Sequence, residues 1–438
     1  MSAQAERAKK YLFAIATVYM CYLTHGVQAI IFSQNEVNFY TQWGYTDATA
    51  GAAAVAMAIT WTGVGKFVSV WIGGEVSDRI GRKIPCVLGA ILYIVCFIMM
   101  LLSTNVTVAC VAGFLSGVAT SGFWDGALYP AVAEASPKYA ASTTIGIKAV
   151  ISISGIIYPL FVALNNDPNT WHVNIYIPIV MSVIAAVMAA FTPFIYDDER
   201  KMKADEGEEG SAAKNKAEAE IQAAKDAMIE KPNALTQFVT LFFGFVIMFM
   251  MYGAQQYSKS FGMQNLGLTE MAAAGLTSVY TAGSIIAVIF WAFMMGKLRW
   301  SPIKVILIDS ILAAAALGLV IIALPLNLGA GAVYVGIAVL GFSAGGGMLQ
   351  TGVTLRQTMC PGPRGRNTGM YYTFMGFASV FLPYIVGAMT TAAGEATATW
   401  IMMILLFAVA CLSIAMSAYI VHRWKRQFGY SAMQPMED

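Results

Sequence analysis

About twelve apolar runs follow one another along this chain, each near or above the ~20 residues that a helix needs to cross a bilayer. They cover 11–33, 49–75, 84–103, 105–136, 139–164, 173–195, 234–260, 270–296, 302–324, 327–359, 366–393 and 396–421. The runs are continuous, whereas spanning strands would alternate over segments of about ten residues. Only 11% of the 438 residues are charged and 58% are hydrophobic. A soluble domain carries about a quarter of charged residues. The expected fold is an all-α polytopic membrane protein.

Lysine and arginine set the topology. Arg7, Lys9 and Lys10 precede the first run. Arg79, Arg82, Lys83, Lys138, Lys297, Arg299, Lys304, Arg364, Arg366, Arg423, Lys425 and Arg426 fall on the same side of the runs. Lys259 is the exception in the opposite set. The positive-inside rule then puts both termini in the cytoplasm. The first run is too long for a signal-peptide core, so it is read as retained. The six cysteines lie in or beside apolar runs without metal-ligand spacing, so neither a disulfide framework nor a metal site is expected. Nothing in the charge pattern points to nucleic acid.

Residues 197–233 are the one long hydrophilic stretch, read as a charged cytoplasmic linker. It separates an N-terminal six-helix bundle, 1–196, from a C-terminal one, 234–438. The two halves match weakly at similar offsets, 223 to 227 residues. Gly44-Tyr45-Thr46-Asp47 matches Gly267-Leu268-Thr269-Glu270, and Gly146 matches Gly369, both shifted by 223 residues. Pro159 matches Pro383, and Gly26-Val27-Gln28 echoes Gly253-Ala254-Gln255. The shared spacing makes the halves pseudo-symmetric copies.

Between the second and third runs lies Gly73-Gly74-Glu75-Val76-Ser77-Asp78-Arg79-Ile80-Gly81-Arg82-Lys83, read as a tight, highly charged turn. Its order of residue types resembles the loop between helices 2 and 3 of the major facilitator superfamily. That resemblance covers nearly the whole chain. It implies a secondary transporter that works by alternating access, with Gly74, Asp78, Arg79, Gly81, Arg82 and Lys83 as gating residues. Glu134-x-x-Pro137 is shared widely in the superfamily, which implies that Glu134 pairs with Arg79 or Arg82. Phe123-Trp124-Asp125-Gly126 through Tyr129-Pro130, followed by Ile147-Lys148-Ala149, is similar to a bacterial subgroup of mostly unassigned substrate. That likeness implies a bacterial inner membrane. Gly63-x-Gly65-Lys66-Phe67 before Ser77-Asp78-Arg79 resembles the organophosphate–anion antiporters, but the first and seventh runs lack that branch's midplane arginines. The second-half copy of the loop, Gly296-Lys297-Leu298-Arg299-Trp300, lacks the Asp.

A charged side chain inside a membrane helix costs about 2.5–3.5 kcal/mol on insertion scales, and a function is its default reading. Lys66, Asp125, Lys148 and Asp309 are such residues. Asp125 lies eleven residues from the end of its run at Ser136, and Lys148 nine from the start of its run at Tyr139. At 1.5 Å per residue their depths differ by about 3 Å. Lys66, ten residues above Val76, falls in the same layer. Two bases and one acid leave positive charge over, which favours an anionic substrate. The plainer reading is a structural ion pair beside a snorkelling lysine. Thr62, Lys66, Ser69 and Gly73 recur at helical spacing, as do Lys148, Ser152, Gly155 and Pro159, as a cavity wall or a close-packing seam.

The expected function is proton-coupled transport of a small organic anion, a sugar acid or an aromatic or carboxylic acid. Lys66 and Lys148 would bind the anion and Asp125 would carry the proton. His25, Gln28, Tyr252, Gln255, Gln256, Gln350, Tyr371 and Tyr372 complete the expected binding set. Three alternatives stand: a neutral sugar or polyol, suggested by the paired amides Gln255 and Gln256; drug efflux, although Gly155-Ile156-Ile157-Tyr158-Pro159 does not reproduce the drug–proton antiporters' motif; and a receptor or scaffold that binds without moving its ligand. No phosphate-binding loop or enzyme constellation occurs. The expected partners are a small molecule, protons and the lipid bilayer, with no cofactor, for a monomeric protein.

Overall fold

The computed structural model describes residues 3–136, 140–206, 219, 221–223, 225–362 and 364–436. Among the described residues there are helices and no strand. In the first half the long helices are α1 (Ala3–Gln28), α2 (Ala48–Ile80), α3 (Lys83–Leu101), α4 (Val106–Ala135), α5 (Ala140–Leu164) and α6 (Val173–Phe191). The second half has α7 (Ala234–Leu266), α8 (Glu270–Lys297), α9 (Pro302–Ala323), α10 (Ala330–Met359), α11 (Arg364–Ala393) and α12 (Glu395–Phe428). Among the described residues, 11 helices are long and apolar enough to cross a membrane; α1 precedes them. The chain packs into two units, Met1–Glu209 with Pro383–Gly394 and Gly210–Leu382 with Glu395–Asp438.

The helices begin where a short polar side chain meets an apolar run. Asp47 caps α2 by accepting from Thr49 N and Ala50 N, Asn105 caps α4 through Val108 N, Asn233 caps α7 through Thr236 N, and Ser301 caps α9 ahead of Pro302. Each cap satisfies an N–H that the helix cannot satisfy itself. The repeated glycine-to-acid motif is a connection of this kind. Gly44 has φ +84 and Gly267 φ +62, a left-handed conformation that glycine adopts without strain. The next helix is then capped by Asp47 or by Thr269.

Two features differ from the sequence reading. The charged stretch 73–83 is mostly helix: α2 continues to Ile80, leaving Gly81 and Arg82 as the link to α3. The pairs Glu75–Arg79 and Asp78–Arg82 are four residues apart and support that last turn. Second, α4 and α10 are interrupted by π-helical segments, Val118–Asp125 and Gly341–Met348. They are related by the same 223-residue shift as the sequence matches. A π segment is rare and concentrates at functional sites.

Glycines bring backbones together along these segments. A Cβ on Gly65 or Gly117 would overlap α4 or α2 backbone, and one on Gly73 would lie 2.5 Å from Ser121 O. Thr62 and Ser69 face Gly113 and Gly122 in the same seam. The stripe Thr62, Ser69, Gly73 is therefore a packing seam against α4 and not a cavity wall. Gly283, Gly341 and Gly346 make the corresponding α8–α10 seam.

Of the expected linker, Ile195–Glu206 is helical and α7 starts at Ala234. Residues 207–218, 220 and 224 lie outside the described residues.

Candidate functional site

In the first unit the π segment delivers Asp125 to α1. Tyr22 donates to its Oδ1 at 3.0 Å and Ser121 to its Oδ2 at 3.0 Å. Lys66 and Lys148 make no ion pair or hydrogen bond with a described residue. Their charges nevertheless reach the same place: Lys66 acts on Asp125, and both lysines act on His25. The structure thus brings Lys66, Asp125, His25 and Lys148 into one electrostatic neighbourhood without the Lys–Asp pair of the plainer reading. On α5, one turn beyond Lys148, the buried Ser152 Oγ also has no partner.

Behind this neighbourhood stands a residue that sequence reasoning missed. Tyr93 on α3 is fully buried. Its hydroxyl lies 3.0 Å from His25 Nδ1 and 2.6 Å from Thr120 Oγ1, and 3.4 Å from Gln28 Oε1 as donor. Gln28 in turn donates to Ser116 Oγ at 2.9 Å. The ring packs 4.5 Å from that of Trp124. His25 and Gln28 are therefore committed to a protein network. In an apolar run a single Tyr carries no periodic signal that would single it out.

In the second unit Tyr252 and Gln256 are buried and Gln255 is half-buried. The Tyr371 hydroxyl fills the notch at Gly352, buried and without a hydrogen bond; its ring stands 6.3 Å from Tyr372, edge-on. Gln350 is on α10, but its side chain lies outside the described residues. Lys259, the topological exception, is paired with Glu270 at 2.7 Å. A ladder of phenyl rings was also missed. Phe238, Phe242, Phe245 and Phe249 stack along α7 at centroid spacings of 5.4, 5.2 and 5.6 Å, and Phe374 and Phe377 of α11 join it. The i, i+4, i+7, i+11 spacing was readable; that α11 continues it was not.

At the charged link Arg82 is the centre. It donates to Ser77 Oγ (2.6 Å), Asp78 Oδ1 (2.8 Å) and Glu134 Oε1 (2.9 Å), and its guanidinium lies 4.2 Å from the Tyr196 ring centroid. Burial works against its charge, but Glu134 and Asp78 outweigh that and hold the guanidinium above its usual range. Of the two arginines offered for Glu134, Arg82 takes it and Arg79 pairs with Glu75. Gly74 lies within α2, and Lys83 begins α3. Asp197 completes the site: its carboxylate accepts from Arg82 N at 2.9 Å and Lys83 N at 2.8 Å. Gly81, at φ +96, has no room for a Cβ beside that carboxylate.

The model of the Major Facilitator Superfamily matches residues 13–383. The chain belongs to that family. It is a membrane transporter and not an enzyme, as its relatives are transport proteins. The inner membrane transport protein YdiN of Escherichia coli is 25% identical over 98% of this chain and 94% of its own. The uncharacterised MFS-type transporter YfkL of Bacillus subtilis is 27% identical over 95% of this chain and 97% of its own. Among solved structures, a D-xylose–proton symporter superposes with a TM-score of 0.71 over 94% of this transporter and 97% of its own chain. At 12% identity that likeness shows the fold alone. The twelve-helix expectation thus holds.

Proposed function

We propose that this transporter moves a small organic anion by proton-coupled alternating access, with Lys66 and Lys148 binding the anion and Asp125 carrying the proton. The observation that carries the reading is the imbalance in the first unit. Two lysines, neither in an ion pair or hydrogen bond with a described residue, share the neighbourhood of His25; only Lys66 acts on the one carboxyl, Asp125, whose oxygens accept from Tyr22 and Ser121. A charge held in protein without a counter-ion is costly, and a substrate carboxylate would supply it. Gly74, Asp78, Arg79, Gly81, Arg82, Lys83 and Glu134 are assigned to the gate. The working division is two bundles, 1–196 and 234–438, on a cytoplasmic linker, 197–233. Both termini face the cytoplasm of a bacterial cell, and the protein acts as a monomer.

A thermal-stability screen over aromatic acids, sugar acids, sugars and polyols tests the substrate class. Saturation a hundredfold above Kd adds about 2.7 kcal/mol. Acids should stabilise and their neutral analogues should not. Lys148→Ala should abolish the shift, and uptake of the hit into proteoliposomes should follow an imposed proton gradient. An unchanged shift in Lys148→Ala removes the anion site. A second reading, a neutral polyol, is favoured by the Tyr371 hydroxyl, buried at Gly352 without a hydrogen bond to a described residue, and by the paired amides Gln255 and Gln256 of α7; stabilisation by polyols alone would select it.

A further inference from the structure

Asp309, on α9, is fully buried, and neither carboxyl oxygen makes a hydrogen bond. Its Oδ2 fills the space that a Cβ on Gly347 would take, at the end of the second π segment. Trp291 Nε1, also buried, lies 2.6 Å from the same point, and its N–H is the group that acts on the Asp309 carboxyl, short of full hydrogen-bond geometry. Trp291 belongs to an apolar cluster with Ala287 and Val305, packed by Met294, Trp300 and Phe342.

Several charged and titratable groups of the surrounding elements are engaged elsewhere; His422, Lys425, Arg426 and Cys411 also lie on α12. Lys304, on the same helix, sits 3.8 Å over the Trp300 ring, and Lys297 of α8 lies 5.3 Å from that of Phe293. Tyr280 of α8 bonds Met251 O, and Tyr334 of α10 bonds Ala272 O. Arg356 of α10 donates to Thr240, and Arg423 of α12 pairs with Glu230. Among the described residues no counter-charge acts on Asp309.

An ionised carboxylate is far more costly in such a place than a neutral acid. A hard metal cation would need six or so oxygen ligands, and no cluster of three metal-ligating side chains occurs among the described residues. The ligand that fits a lone carboxyl is a proton. We propose that Asp309 is a proton-binding site of the second unit, holding a neutral carboxyl in the notch at Gly347 beside Trp291. It differs in kind from Asp125, whose oxygens both accept from hydroxyls. The site deepens the proton-coupled reading, yet its existence is independent of the substrate.

Infrared spectra of the full-length protein in liposomes, recorded across pH, test it without any substrate. The wild type should show a protonated-carboxyl band at neutral pH that Asp309→Asn lacks and Asp125→Asn keeps. Trp291→Phe should shift that band, because it removes the neighbouring dipole. If Asp309→Asn does not fold, the Trp291→Phe shift decides. Spectra with the same protonated-carboxyl bands in wild type and Asp309→Asn, or a band unmoved by Trp291→Phe, overturn the proposal. Failure of the anion screen would leave this result standing.

Discussion

Tyr93 joins three helices through one oxygen: α1 through His25 and Gln28, α4 through Thr120, and α3 itself. Tyr93→Phe keeps the ring packing on Trp124 and leaves those partners short of a bond. Each buried polar group so orphaned costs about 1–3 kcal/mol, so the melting temperature should fall by several degrees in calorimetry. Gly347 is a different case, decided by volume. Gly347→Ala puts a methyl on the Asp309 carboxyl, and overpacking of this kind costs about 1–3 kcal/mol. Asp309→Ser in the same background should return part of the loss, so the two changes should be non-additive in thermal unfolding. Neither Tyr93 nor the pairing of Asp309 with Gly347 was legible in the sequence. Lys66, Asp125 and Lys148 were, because a charge inside an apolar run is conspicuous whatever the fold.

Helix α3 shows how an element depends on distant chain. Its own N-cap residue, Arg82, offers no side-chain acceptor; the carboxylate of Asp197 supplies one from the helix Ile195–Glu206. Tyr196 reinforces the contact by donating to Asp78 O, and Arg200 donates to Arg79 O. A cap is worth about 1 kcal/mol, a factor of about five in the local opening equilibrium. Asp197→Ala should therefore speed hydrogen exchange at the Arg82 and Lys83 amides about fivefold, with α9 and α12 unchanged. Arg82→Lys should cost more, about 1.5–3 kcal/mol in thermal stability for each charged hydrogen bond not remade. An ammonium cannot fork between Glu134 and Asp78 while lying flat on Tyr196. The helices themselves were legible from apolar length and from caps such as Asp47 and Asn233. The π segments were not. Their sequences, Val118–Asp125 and the glycine-rich Gly341–Met348, have the composition of ordinary membrane helix, and the extra residue per turn is selected by the backbones packed against them.

Across the whole molecule the sorting of Lys and Arg to one side makes a topological prediction. In a background without Cys411, the exposed cysteine, Asn327→Cys should react with a membrane-impermeant maleimide in intact cells and Lys297→Cys only after permeabilisation; the opposite result would invert the orientation. By itself the sequence determined the class of the protein. Length of apolar run and charge sparsity are counted along the chain and need no coordinates, and they require a helical membrane protein; that it is a transporter followed from its likeness to a family at Gly73–Lys83. Tertiary structure decided which polar residues are committed and which are free. His25 and Gln28 are tied to Tyr93, Asp125 to Tyr22 and Ser121, and Arg82 to Glu134 and Asp197, while among the described residues Lys66 and Lys148 make no ion pair or hydrogen bond and Asp309 has only the indole of Trp291 beside it. Such partnerships join residues tens to more than a hundred positions apart, and hydrogen bonding acts over about 3 Å, a distance that exists only once the helices have packed.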